Sequence, residues 1–138
     1  MKISTRGRYA LRLMIDVANH GKDGKVPVKD ISERQGVSVK YLEQIATTLA
    51  KAGLLQSGRG ANGGYALTHP PAHYKAGDIL RAIEGSLAPV SCLQTSENFC
   101  ERKSACPTLR FWEGLRGAID SYVNSVTLQD LTGTDCGL

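Results

Sequence analysis

Long apolar runs are missing from these 138 residues. No stretch approaches the roughly 18 consecutive apolar residues that a membrane-spanning helix needs, so no membrane role is expected. The first segment opens with basic residues as an export signal does, but Arg12 and Asp16 interrupt its apolar positions and no small-residue cleavage pattern follows. A soluble, cytoplasmic protein is expected. Cysteine is scarce, four in all, and without an export signal these argue against a disulfide framework, because the cytosol keeps thiols reduced. Histidine is scarcer still: His20, His69 and His73 read as surface or packing residues. No catalytic triad and no phosphate-binding loop is present, which argues against an enzyme, an electron-transfer enzyme included. The length suits one core with appendages rather than two ordinary domains and a linker.

Charge is present but unevenly placed. Residues 1–64 carry eleven Lys/Arg against five Asp/Glu, whereas residues 65–138 carry six against eight. A basic first half suits a polyanion, and plain solvated surface charge is the alternative.

Apolar positions Ala10, Leu13, Met14, Val17 and Ala18 recur at helical spacing from residue 4 to about residue 19, with Ser4 or Thr5 as the cap. Gly21, Asp23 and Gly24 mark a turn. A short helix follows over residues 28–35 with Val28 and Ile31 inward, and Gly36 breaks it. Ser38 opens another helix, to about residue 52, with Tyr41, Leu42, Ile45 and Leu49 as its buried stripe. Two helices joined by a short glycine turn read as a helix-turn-helix. Residues 54–57 and 65–68 read as strands about a glycine-rich turn, which makes the pattern a winged helix. Residues 76–84 form a further helix with Ile79, Leu80 and Ile83 inward. Periodicity then lapses until Pro107. Phe111, Trp112, Leu115, Ala118, Ile119, Tyr122, Val123 and Val126 cover more than one side of a last helix, which suits packing on its own domain and on a partner chain. The fold class expected is mainly α: a winged helix-turn-helix with a two-stranded wing and a long C-terminal dimerisation helix. The expected divisions are a DNA-binding domain at 1–84, a cysteine loop at 85–106, and the dimerisation helix with its tail at 107–138.

A reading helix laid in a major groove presents its exposed N-terminal residues to base edges. Ser38, Lys40, Glu43 and Gln44 avoid the buried stripe and fit that role. Tyr41, which opens the stripe, is grouped with them. Gln44 suits adenine, Glu43 suits cytosine N4, and Lys40 suits guanine or phosphate. An ordinary solvated polar face is the alternative. Arg59 stands in the wing turn, where Gly60, Gly63 and Gly64 allow close backbone approach, and an arginine so presented suits a narrow minor groove. Lys2, Arg6, Arg8 and Arg12 read as phosphate contacts.

Cys92, Cys100 and Cys106 are spaced C-x7-C-x5-C in the aperiodic segment. That spacing matches neither familiar zinc pattern with paired C-x2-C ligands. Thiolates suit iron-sulfur clusters as well as zinc, so cluster, zinc, thiol redox switch and unliganded cysteines all stand open on chemistry alone.

The runs MKISTRGRYAL, DISERQGVSVKYLEQ, KAGLLQSGRGANGGY and AGDILRAIEG together resemble the bacterial iron-sulfur cluster regulator family and its close relative, the cysteine metabolism repressor. The resemblance covers nearly the whole chain. It implies a dimeric transcription regulator, bound to a double-stranded DNA operator, whose C-terminal helix crosses to the partner. It supports Ser38, Lys40, Glu43 and Gln44 on the reading helix and Arg59 in the wing. It further implies an iron-sulfur cluster on Cys92, Cys100 and Cys106, with a 2Fe-2S centre favoured over a 4Fe-4S one. Cluster binding is then expected to order the loop and to shift the two reading heads through the crossing helix. Two departures bear on the fourth ligand. The seven-residue gap is wider than the usual five, and Leu109 stands where the 2Fe-2S regulator has histidine. Other cluster-binding relatives use a carboxylate near the partner's N-terminus, where this chain has Arg6 and Arg8. Cys136 is read as a free thiol outside the site, with a ligand on the tail as the alternative. The other branch of the resemblance implies a thiol- or redox-responsive repressor without a cluster, controlled by a partner such as a sulfur-metabolism enzyme.

Overall fold

Ser4 opens the first helix, α1 (Thr5–His20), by accepting the Gly7 amide on its hydroxyl at 3.2 Å. The computed structural model describes residues 2–22, 24–58 and 63–133. Along α1 the residues Ala10, Leu13, Met14 and Val17 are buried on one face. Helix α2 (Val28–Gln35) buries Ile31 and stops at Gly36, whose φ of 66° lies in the left-handed region that glycine adopts without strain. Two residues on, Ser38 caps α3 (Val39–Lys51), which turns Leu42, Ile45, Ala46 and Leu49 into the same core. These three helices are the expected helix-turn-helix with its supporting helix.

The wing is an antiparallel pair, β1 (Leu55–Gly58) and β2 (Gly64–Leu67), in the register Leu55 to Leu67 and Gly58 to Gly64. Val26 exchanges backbone hydrogen bonds with Tyr65 at 2.8 and 2.9 Å, adding a third edge that the sequence pattern did not disclose. This contact explains Gly64: at φ 142° a Cβ there would fall on the Val26 carbonyl. Tyr74, 2% exposed, ties the wing's base. Its hydroxyl donates to the Leu54 carbonyl at 2.9 Å and accepts the amides of Thr68 and His69 at 2.8 and 3.1 Å.

Helix α4 (Ala76–Glu84) has the expected bounds and packs on α1 and α3. The last long helix, α5 (Leu109–Ser125), crosses α4 at Gly77, where a Cβ would meet Val123 at 2.9 Å. Arg81 of α4 donates to Asp120 and Asn124 of α5, each at 2.9 Å. The chain then returns to the first core. Ala76 N bonds Val126 O at 2.8 Å, Leu128 N bonds Tyr74 O at 2.9 Å, and the Leu128 side chain, first in the short helix α6 (Leu128–Leu131), is fully buried in that core. Among the described residues no helix is long and apolar enough to cross a membrane.

Leu128 thus acts as a core residue of the first helical unit although it lies beyond α5. Leu128→Ala is expected to lower the free energy of unfolding by about 2–5 kcal/mol, the range for truncating a buried leucine. Urea denaturation followed by circular dichroism checks this, and a loss below about 1 kcal/mol would contradict the burial.

Candidate nucleic-acid interface and cysteine loop

Helix α3 divides the residues singled out on it into two kinds. Ser38 accepts the Tyr41 amide at 3.2 Å, and Tyr41 is half-buried, its ring edge-on to Tyr9 with centroids 5.9 Å apart. Both therefore help to place the helix. Lys40, Glu43 and Gln44 are exposed. They share an open groove with Arg6 of α1 and with Thr47 and Thr48, and Arg6 Nη2 lies 3.4 Å from Thr48 Oγ1. The two threonines were not singled out in the sequence, although each stands one helical turn after Glu43 or Gln44. Their hydroxyls donate to the carbonyls of those residues at 2.7 and 3.2 Å.

The basic residues of α1 also divide. Lys2, Arg6 and Arg8 are exposed. Arg12, grouped with the phosphate contacts on sequence alone, is half-buried and already engaged within the chain: it donates to Gln35 Oε1 at 2.9 Å and to Gln35 O at 2.7 Å, and lies over the Tyr9 ring. Beside it is Asp16, the one buried charged side chain among the described residues. Its carboxylate accepts Arg34 Nη2 at 2.7 Å, Arg34 Nε at 3.0 Å and Gln35 Nε2 at 2.9 Å. The hydrogen bond to Asp16 raises the Arg34 pKa above its ordinary value.

At the wing, Gly63 and Gly64 are half-buried, and Gly64 serves the internal contact with Val26. Arg59 and Gly60 lie outside the described residues. Tyr65 sits between wing and reading helix. Burial first, and the nearby Glu43 carboxylate second, raise its phenol pKa.

The cysteine segment is anchored by the buried side chains of Leu87 and Leu93. Cys92 lies in a single 3-10 turn, Ser91–Leu93, and is half-buried. Cys100 is exposed, its amide donating to Asn98 Oδ1 at 2.8 Å. Cys106 is half-buried two residues before the Thr108 cap position of α5. Its thiol lies 3.5 Å from Thr108 Oγ1. That hydroxyl first, and then the Thr108 and Leu109 amides, hold the Cys106 pKa below its ordinary value. Three free thiols in one irregular segment suit an iron-sulfur cluster or a thiophilic metal such as zinc by donor chemistry. Among the described residues, however, no three His, Cys, Asp or Glu side chains stand gathered around a common point. His69, bonded to Thr68 Oγ1 at 2.9 Å and edge-on to Tyr74, belongs to the wing's base. Cys136 lies outside the described residues.

Helix α5 buries none of its residues within the single chain. Phe111 and Tyr122 are 64% and 70% exposed.

A family model described as Rrf2, iron-dependent transcriptional regulator, matches residues 3–134. Protein rrf2 of Nitratidesulfovibrio vulgaris is 42% identical to this chain over 131 residues, spanning 95% of the chain and 87% of the relative. The HTH-type transcriptional regulator IscR of Yersinia pseudotuberculosis is 41% identical over 131 residues, with 95% and 79% covered. Among solved structures, CymR, the global cysteine regulator of B. subtilis, superposes with a TM-score of 0.77 at 38% identity over 95% of each chain. IscR of T. potens superposes with a TM-score of 0.72 at 40% identity over 95% of this chain and 85% of its own.

The hydrogen bonds on Cys106 have a measurable consequence. Alkylation of Cys106 by iodoacetamide, followed by mass spectrometry, should show a pH midpoint below that of an unperturbed thiol. Thr108→Val should move that midpoint upward, and an unchanged midpoint would deny the hydroxyl its role.

Proposed function

The chain belongs to the Rrf2 family of transcription regulators, and on that premise we propose that it is a dimeric, sequence-specific DNA-binding regulator sensing iron-sulfur status through Cys92, Cys100 and Cys106. The observation that carries the DNA half is the groove in which Lys40, Glu43 and Gln44 stand exposed beside Arg6, on a helix capped and buried along its other face. Glu43 and Gln44 supply acceptors and donors for base edges, and Arg6 with Lys2 and Arg8 supplies phosphate contacts. Arg59 completes the reading from the wing. Dimerisation is supported by α5, where Phe111, Leu115, Ala118 and Tyr122 recur every three or four residues and Phe111 and Tyr122 are exposed in one chain. Two reading heads then meet two half-sites.

Donor chemistry and the similarity to IscR proteins support the sensor half. Cys92, Cys100 and Cys106 would hold the cluster, and the segment has to close to gather them. When bound, the group supplies iron–thiolate bonds that respond to iron supply and oxidation. The chain itself supplies the coupling: Cys106 lies at the entrance of α5, so the closure acts directly on that helix. A second reading, a repressor of cysteine metabolism answering to thiol oxidation or to a sulfur-metabolism enzyme, is favoured by the lowered Cys106 pKa and by the likeness to CymR.

Selection of duplexes from a random pool should enrich one sequence for the wild type. Gln44→Ala and Arg59→Ala should each weaken that sequence by about 1–3 kcal/mol while leaving random duplex almost unaffected. Equal losses on both would make the residue a phosphate contact. Anaerobically purified protein should carry iron and a visible charge-transfer spectrum, lost in alanine variants of Cys92, Cys100 or Cys106 and kept in Cys136→Ala. A colourless, iron-free wild type would favour the second reading, and loss of the spectrum in Cys136→Ala would bring the tail into the site.

A further inference from the structure

The wing carries a cation that the interface described so far leaves unused. Opposite residues of an antiparallel pair share a face and neighbours alternate, so the pairing of Gly58 with Gly64 and of Gln56 with Ala66 puts those four on one face. Tyr65 and its bridge partner Val26 occupy the other, where Val26 is 3% exposed. Lys25, next to Val26, consequently points to the outer face with the glycines, and it is exposed. Its side chain lies across the end of β1: a Cβ at Gly58 would come within 2.9 Å of Lys25 Cε and nearer still to Cδ and Nζ. A Cβ at Gly58 would have to push the flexible end of that side chain aside, whereas glycine leaves the path open. The ammonium is thereby brought to the last described residue before the wing turn, and among the described residues it forms no ion pair.

We infer that Lys25 is a DNA-phosphate contact of the wing, directed toward the wing's turn along the track left by Gly58. The inference rests on the reading of the wing as a DNA-contacting element. A single ammonium on a flexible stem pairs with phosphate as a point charge and reads no base. Its contribution should therefore depend strongly on salt and be indifferent to sequence.

The test is the salt dependence of binding to a labelled random-sequence duplex of about 30 base pairs, long enough for phosphate contacts along several helical turns. Each phosphate contact removed lowers the slope of log affinity against log salt by about 0.9. For one contact, the advantage of wild type over Lys25→Gln should shrink about 3.5-fold between 50 and 200 mM salt, and for two in a dimer about 12-fold. Lys25→Arg should keep the wild-type slope. Gly58→Ala, which displaces the lysine end but keeps its charge, should lower the slope, though by no more than Lys25→Gln does, and the double variant should lose nothing beyond the glutamine change. An unchanged slope in Lys25→Gln, with the wild type binding normally, overturns the inference alone. A Gly58→Ala variant with wild-type slope overturns the role given to Gly58. A wild type that binds no duplex at any salt overturns the DNA-binding reading itself, and this inference with it.

Discussion

The carboxylate of Asp16 holds the reading head together. It is buried in the C-terminal half of α1, where an unpaired charge is costly, and it is satisfied from the last turn of α2 by Arg34 and Gln35. Gln35 in turn accepts both hydrogen bonds from Arg12. One residue later Gly36 turns the chain toward Ser38 and α3. The end of α2 that leads into α3 is therefore tied to α1 by directional polar bonds, while α3 itself is held by its apolar residues Leu42, Ile45, Ala46 and Leu49 in the core. Such directional bonds suit a helix whose exposed side chains have to match the spacing of base edges.

The two halves of the proposed regulator meet through few contacts. Leu87 and Leu93 are the buried side chains of the cysteine segment. Helix α5 rests on α4 by the close approach at Gly77 and by the polar links from Arg81. Arg81 and Asp120 are both partly exposed, and an ion pair of that kind contributes little to stability. Within one chain α5 is held chiefly along its C-terminal half, where Asp120, Val123 and Asn124 meet α4, and a second chain on its exposed side would add to what fixes it.

Much of this was legible in the residues. The amphipathic spacing of α1, α3 and α4, the Gly36 break and the Ser38 cap are local signals, and they place the helix-turn-helix within a residue or two. What stayed hidden depends on contacts between distant parts of the chain. Arg12 looks like any surface arginine until Gln35 is brought beside it. Gly64 and Gly58 read as turn glycines, yet each also makes room for the segment at residues 25–27. Leu128 lies after the last clear periodic run, in a helix of four residues too short to carry a pattern, and only the fold shows that it completes the first core. Cys92, Cys100 and Cys106 show the converse case: their clustering is plain in the sequence, but among the described residues no three ligating side chains stand together.

The burial of Leu128 gives α5 the mechanics of a hinged beam. Its C-terminal end is pinned by the Leu128 plug and by the backbone bonds of residues 126 and 128, while its N-terminal end begins just past Cys106. At about 1.5 Å per residue its 17 residues span about 25 Å. A tilt of about 6° about the pinned end then displaces the cysteine end by about 2.6 Å, over that helix length. A tether applied at Cys106 acts at the longest available radius, where a small force produces the greatest torque on the hinge.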